Sequence, residues 1–121
     1  GTATGTCSGI STADVTWNYR KWASGRVELW TTASANTNVT QQDGGGYRTG
    51  TIEVSIPSGL LPGVPMVFCN IRNALTQYAI LATIGLTSPS ATNTGQWAGY
   101  RINSVATNAY KYFNFYVVYN P

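Results

Sequence analysis

The chain has no histidine, and only 9% of its 121 residues are charged. The first absence excludes Ser/His/Asp and Cys/His nucleophilic triads of the usual kind, along with imidazole metal sites. The second falls well below the roughly 25% of ordinary soluble domains, so solubility rests on Thr, Ser, Asn, Gln and Gly. The acids Asp14, Glu28, Asp43 and Glu53 are isolated from one another in the sequence. A calcium cage needs clustered carboxylates, and only backbone oxygens around Asp43 would add to one. Glycoside hydrolysis needs two carboxylates about 5 to 10 Å apart. The only pairing the sequence suggests is Glu28 with Glu53 on neighbouring strands, and the plainer reading has Glu28 answering Arg20 and Glu53 on a polar face. The expectation is a protein that is not an enzyme and needs no metal or cofactor.

Other scarcities narrow the class further. The two cysteines, Cys7 and Cys69, are too few and too far apart for a disulfide scaffold or a structural zinc site. The net charge of +3 comes from scattered basic residues with no run longer than Arg20-Lys21, too diffuse for a nucleic-acid groove. The longest apolar run, Ala79 to Leu86, is broken by Thr83 and is far short of a membrane span. Gly1 to Ala13 has neither the basic start nor the apolar core of a signal peptide, and the missing initial methionine suggests a piece of a longer protein. No stretch has helical apolar spacing over a useful length, and there is no internal repeat. Low charge with many Thr and Asn residues is the composition of extracellular lectins, capsid proteins and fibre knobs.

The stretch from Trp17 to Trp30 is the most informative part of the chain. It holds three of the four tryptophans. Ala23-Ser24-Gly25 separates two alternating segments, the layout of a hairpin whose loop closes on a residue with positive φ, which glycine adopts cheaply. With Gly25 in that role, Trp22 faces Arg26, Arg20 faces Glu28 and Tyr19 faces Leu29. The first pair suits a cation over a ring and the second an ion pair, each worth about 0.5 kcal/mol at an exposed site. Trp17, Tyr19, Arg20, Trp22, Gly25, Glu28 and Trp30 are thus read as a structural hairpin.

Residues 1–13 lack periodicity and are expected to be a linker or extended arm, with a single domain over 14–121. Thr31 to Asn38 is small and polar, and Gly44-Gly45-Gly46 marks a tight or flexible loop. Tyr47 to Ile56 alternates with Ile52, Val54 and Ile56 on one side, and the proline-bounded turn after it carries Leu60-Leu61 as a cap on the core. Further strands are expected at Met66–Ile71, with Val67, Cys69 and Ile71 on one face, at Gln77–Leu86, covered on both faces, and at Gln96–Ser104. Val105 to Asn108 reads as a turn into a last strand, Ala109–Tyr119. There Phe113, Phe115 and Val117 share one face, and Tyr110, Tyr112, Tyr116 and Val118 the other. A tyrosine-lined second face suggests contact with a ligand or another subunit. The pattern predicts an all-β fold, an antiparallel β-sandwich (jelly-roll-like or related) of about seven to eight strands without substantial helix.

For ligand contact, Trp97, Tyr100 and Arg101 beside the Thr87–Gly95 loop combine stacking surface with a planar multidonor group, and Asn93 and Asn103 add amides. Flat apolar faces with a few fixed hydrogen bonds are the chemistry of sugar recognition. Core or subunit-contact roles fit the same residues equally well. Tyr47 with Arg48, after the glycine run, is a second candidate pair.

The run Trp17-x-Tyr19-Arg20-Lys21-Trp22-x-Ser24-Gly25-x-x-Glu28-x-Trp30 resembles the opening hairpin of a β-rich module near the C-termini of phage tail, baseplate and fibre proteins. It departs at Leu29, where relatives often carry Cys, and at its end, Tyr119-Asn120-Pro121. The resemblance implies a receptor-binding, adhesin-type domain displayed as a homotrimer at a fibre tip in the virion. It would recognise a host cell-surface carbohydrate or glycosylated receptor without covalent chemistry, nucleic acid or membrane insertion. It implies assembly in a bacterial cytoplasm, and hence free thiols at Cys7 and Cys69. The alternatives are a purely structural trimerisation knob, or a head-fibre domain decorating a capsid.

Overall fold

The computed structural model describes residues 1–73, 82–102 and 106–121. The described residues form ten strands and no helix: β1 (Thr2–Gly9), β2 (Ala13–Lys21), β3 (Val27–Val39), β4 (Gln41–Asp43), β5 (Gly46–Arg48), β6 (Ile52–Val54), β7 (Met66–Asn73), β8 (Ala82–Gly85), β9 (Trp97–Ile102) and β10 (Ala106–Tyr119). The fold is all-β, as the pattern predicts, with more strands than expected. Every pairing is antiparallel, in the order β4-β5-β9-β6-β1-β2-β3-β10-β7, with β8 on β9. The sheet folds over in a sandwich-like way, so that Trp97 on β9 meets Phe115 on β10 edge to face at 6.5 Å.

The hairpin forms in the expected register. Tyr19 pairs with Leu29 and Arg20 with Glu28. The Trp22 amide donates to the Arg26 carbonyl at 2.9 Å, and Gly25 closes the turn at φ 94°. The side-chain pairing differs from expectation. The Arg20 guanidinium, not that of Arg26, lies over the Trp22 ring at 5.3 Å, and Glu28 accepts from the Trp22 indole instead of pairing with Arg20. Trp22 reaches Glu28 diagonally across the ladder and Arg20 reaches Trp22 two positions along its own side of the hairpin, contacts that the facing register alone does not capture.

A segment read as irregular is a strand, and one read only as small and polar continues another. Thr2–Gly9, expected to be part of a linker, pairs with β2 on one side and β6 on the other, with Gly5 and Cys7 buried. Its inward positions are too small to produce a hydrophobic alternation. Thr31–Asn38, read from the sequence only as small and polar, continues β3, and Ala33 faces Phe113 while Thr31 faces Phe115. Small residues there leave room for the two phenyl rings, so a large–small match takes the place of apolar repetition. β10 likewise starts at Ala106, inside the expected turn, with a register irregularity between Ala106 and Ala109. The core gathers Trp17, Leu29, Ile52, Val54, Ile56, Leu61, Phe113, Phe115 and Val117. Leu61 seals it as expected, with Leu60 packed beside it.

The Tyr47–Ile56 alternation splits at Thr49, which is fully buried and whose hydroxyl accepts from the Gly99 amide at 3.0 Å while donating to the Gly50 carbonyl at 2.7 Å. The glycine run makes the tight β4–β5 turn, with Asp43 opposite Gly46. Of the expected Gln77–Leu86 strand, residues 77–81 lie outside the described residues. The rest forms β8, where Ile84 is half-buried and Leu86 is 39% exposed, so this part is not covered on both faces. Cys7 and Cys69 are free thiols, and burial pushes Cys69 up to about 12 and raises Cys7 as well.

Candidate functional site

The residues singled out from the sequence do not converge. Trp97 points into the sandwich, with its indole donating to the Thr94 carbonyl at 2.9 Å and its ring on Phe115. Arg101 and Tyr47 are paired neighbours on β9 and β5. Tyr100 occupies the opposite side of β9, donating its hydroxyl to the Asp43 carbonyl at 3.2 Å. Arg48, across from Tyr100, bonds Asp43 at 3.1 Å and the Thr49 carbonyl at 3.0 Å, so it braces the β4–β5 hairpin. The Asn93 carboxamide accepts from the Gly95 amide at 2.7 Å within its own loop. Asn103 lies outside the described residues. Trp97 does border an open groove of about 620 Å³, shared with Pro65, Met66, Phe68, Leu86 and Pro89.

A different surface brings chemistry together: the outer face of β2-β3-β10-β7. Strand alternation sends Leu29, Thr31, Phe113, Phe115 and Val117 inward, so their neighbours Trp30, Thr32, Asn114 and Tyr116 face out. Register then sets them in rows. Asn18, Trp30, Tyr116 and Phe68 align across the four strands. One step along, Thr32, Asn114 and Asn70 align as well. Trp30 is 39% exposed and Phe68 54% exposed, and the Phe68 and Tyr116 rings lie 6.1 Å apart. The polar row is internally bonded. The Thr32 hydroxyl donates to Asn114 Oδ1 at 2.7 Å, and Asn114 Nδ2 donates to Asn70 Oδ1 at 2.9 Å. Three shallow depressions lie along these rows: about 600 Å³ by Asn18, Arg20 and Trp30, about 500 Å³ by Trp30, Thr32 and Asn114, and about 220 Å³ by Phe68, Asn70 and Tyr116.

At one border of this face Glu28 accepts from the Tyr116 hydroxyl at 2.5 Å and from the Trp22 indole at 2.6 Å, with Arg26 Nε 4.0 Å away. The Tyr116 bond, then the Trp22 bond, holds its carboxyl below the usual range. Because the folded-state value is depressed, this contribution is complete above the ordinary glutamate value near about 4.3 and is lost as pH falls through the folded value. Glu28→Gln is therefore expected to flatten the acid limb of a melting-temperature profile below about pH 4.3 and to leave its shape at neutral pH unchanged, as thermal melts across pH would show.

The tyrosine-lined side of β10 is visible in the sequence, and Tyr112 and Tyr116 do lie on it; the Tyr110 side chain lies outside the described residues. The missing information is the partner strand. Met66, Phe68, Asn70 and Arg72 alternate against Val67, Cys69 and Ile71, but only the β10–β7 register places Phe68 beside Tyr116 and Arg72 over the Tyr112 ring at 4.2 Å.

No family model, curated protein or solved structure matches the chain.

Proposed function

We propose that the chain is a non-catalytic receptor-binding (adhesin) domain of a phage tail fibre or tail-associated protein, binding host cell-surface glycan as a homotrimer. The observation that carries the binding part is the aromatic row Trp30–Tyr116–Phe68 beside the amide row Thr32–Asn114–Asn70. Sugars offer flat C–H faces to rings and hydroxyls to amides, and this face supplies both in one plane. The phage assignment draws on the hairpin motif from Trp17 to Trp30 and on the low charge. A non-catalytic role is supported by the placement of the acids, since β1 and β2 separate the strands that carry Glu28 and Glu53. Trimeric display would convert weak single-site affinity into avidity.

Trp30→Ala is expected to weaken binding of the domain to whole bacterial cells or an arrayed glycan by about tenfold or more while the fold survives. Unchanged binding would remove this face from the reading. Light scattering coupled to size exclusion tests the oligomer, and a monomer would count against display at a fibre tip. A purely structural knob is the second reading. It draws on the apolar surface of Val64, Met66 and Leu86, which are 72%, 55% and 39% exposed and suit burial against another subunit.

A further inference from the structure

Resting on that glycan-binding reading, we infer that the face takes a linear, uncharged glycan laid across the strands, with one pyranose ring each over Trp30, Tyr116 and Phe68. Direction follows from register. These three residues are consecutive neighbours across β3, β10 and β7, and adjacent strands stand about 4.8 Å apart, close to the length of one pyranose in an extended chain. A glycan running along β3 would instead leave Trp30 for Thr32 and Ser34 and lose its stacking surface after one ring.

The polar row gives the glycan a polarity. Donation runs from the Thr32 hydroxyl to Asn114 and from Asn114 to Asn70. The relay holds both carboxamides in place and leaves Asn70 Nδ2 as a free donor at the β7 end, with Thr32 oxygen lone pairs as acceptors at the β3 end. A chain with distinguishable ends therefore binds in one orientation.

Charge complementarity selects a neutral occupant. Neither row contains an acidic or basic side chain. The nearest carboxylate, Glu28, is engaged by Tyr116 and Trp22, and Arg20 and Arg72 lie over Trp22 and Tyr112 at opposite corners of the face. Arg26 stands beside Glu28, Lys21 lines the Trp30 depression together with Arg20, and Asp14 is exposed on β2. A polymer with a carboxylate on every sugar would find no cation opposite each ring.

Calorimetric titration of the intact domain with neutral cello-, laminari-, manno- and chito-oligosaccharide ladders, and with an oligogalacturonate ladder as the anionic arm, tests this. A neutral ladder is expected to bind, with affinity climbing from mono- to trisaccharide and levelling beyond. Phe68→Ala is expected to lower trisaccharide affinity by about tenfold and to leave the disaccharide unaffected. Levelling at the monosaccharide, or preference for galacturonate, would overturn the neutral cross-strand assignment and leave glycan binding standing. If no ladder binds, the assignment falls, and whether Trp30→Ala still releases cells decides the parent reading. Self-association abolished by Trp30→Ala would make the face a contact between copies and overturn both.

Discussion

Trp17→Ala is expected to cost about 3–5 kcal/mol, the range for removing a large aromatic from a core. Trp17 is completely buried, among Leu29, Ile52, Val54 and Phe115 in the core cluster. The ring also does directional work. Its indole donates to the Ser55 carbonyl at 2.8 Å, while the Ser55 amide donates to the Thr6 carbonyl at 2.9 Å and the Ser55 hydroxyl accepts from the Thr6 amide at 2.6 Å. Trp17 on β2 is thus tied, over β1, to the chain leaving β6. Against a total stability of roughly 5–15 kcal/mol, such a loss unfolds a large share of the molecules or moves the denaturation midpoint far to the left. Trp17→Phe separates the two contributions. It keeps much of the ring volume but leaves the Ser55 carbonyl without its donor, for a smaller cost of about 1–3 kcal/mol. Urea unfolding followed by far-ultraviolet circular dichroism reads both, and a loss under about 1 kcal/mol for Trp17→Ala would show that the indole is not a core element.

The local features of the sequence carried over well where the chain meets itself nearby. Gly25 in its turn, the pairing of Tyr19 with Leu29, the inward set Ile52, Val54 and Ile56, and the opposed faces of β10 all follow from short-range alternation. What failed was long-range. β1 and the second half of β3 are hidden because their inward residues, Gly5, Cys7, Ala33 and Ala35, complement large rings instead of repeating them. The same limit blurred the site. Trp97 and Tyr100 looked like partners in the sequence, yet their spacing puts them on opposite sides of β9, one against Phe115 and the other on Asp43. Trp30 and Phe68 have Tyr116 as a common neighbour only because β10 lies between β3 and β7. Even the hairpin tryptophans divide, since Trp17 is inward while Trp22 and Trp30 are exposed.

The same buried junction makes Gly5→Ala the second severe substitution, with an expected cost of about 2–3 kcal/mol from overpacking. Gly5 lies on β1 opposite Val15, and a methyl group built there collides with the Ser55 carbonyl oxygen and comes within 2.7 Å of the Trp17 indole nitrogen. Neither neighbour can give way cheaply. The carbonyl is main chain and accepts the indole bond, so retreat breaks that bond, while rotation of the indole disturbs the core. Gly45→Ala is the matching control, because nothing lies within 4 Å of a methyl group there, and its effect is expected to be near zero. Because Gly5 and Trp17 meet at one carbonyl, combining Gly5→Ala with Trp17→Phe is expected to cost less than the sum of the two, since the smaller ring removes one of the two collisions. Strict additivity in that cycle, or a Gly5→Ala protein as stable as its parent, would mean that β1 does not run between β2 and β6 with Gly5 beneath the indole.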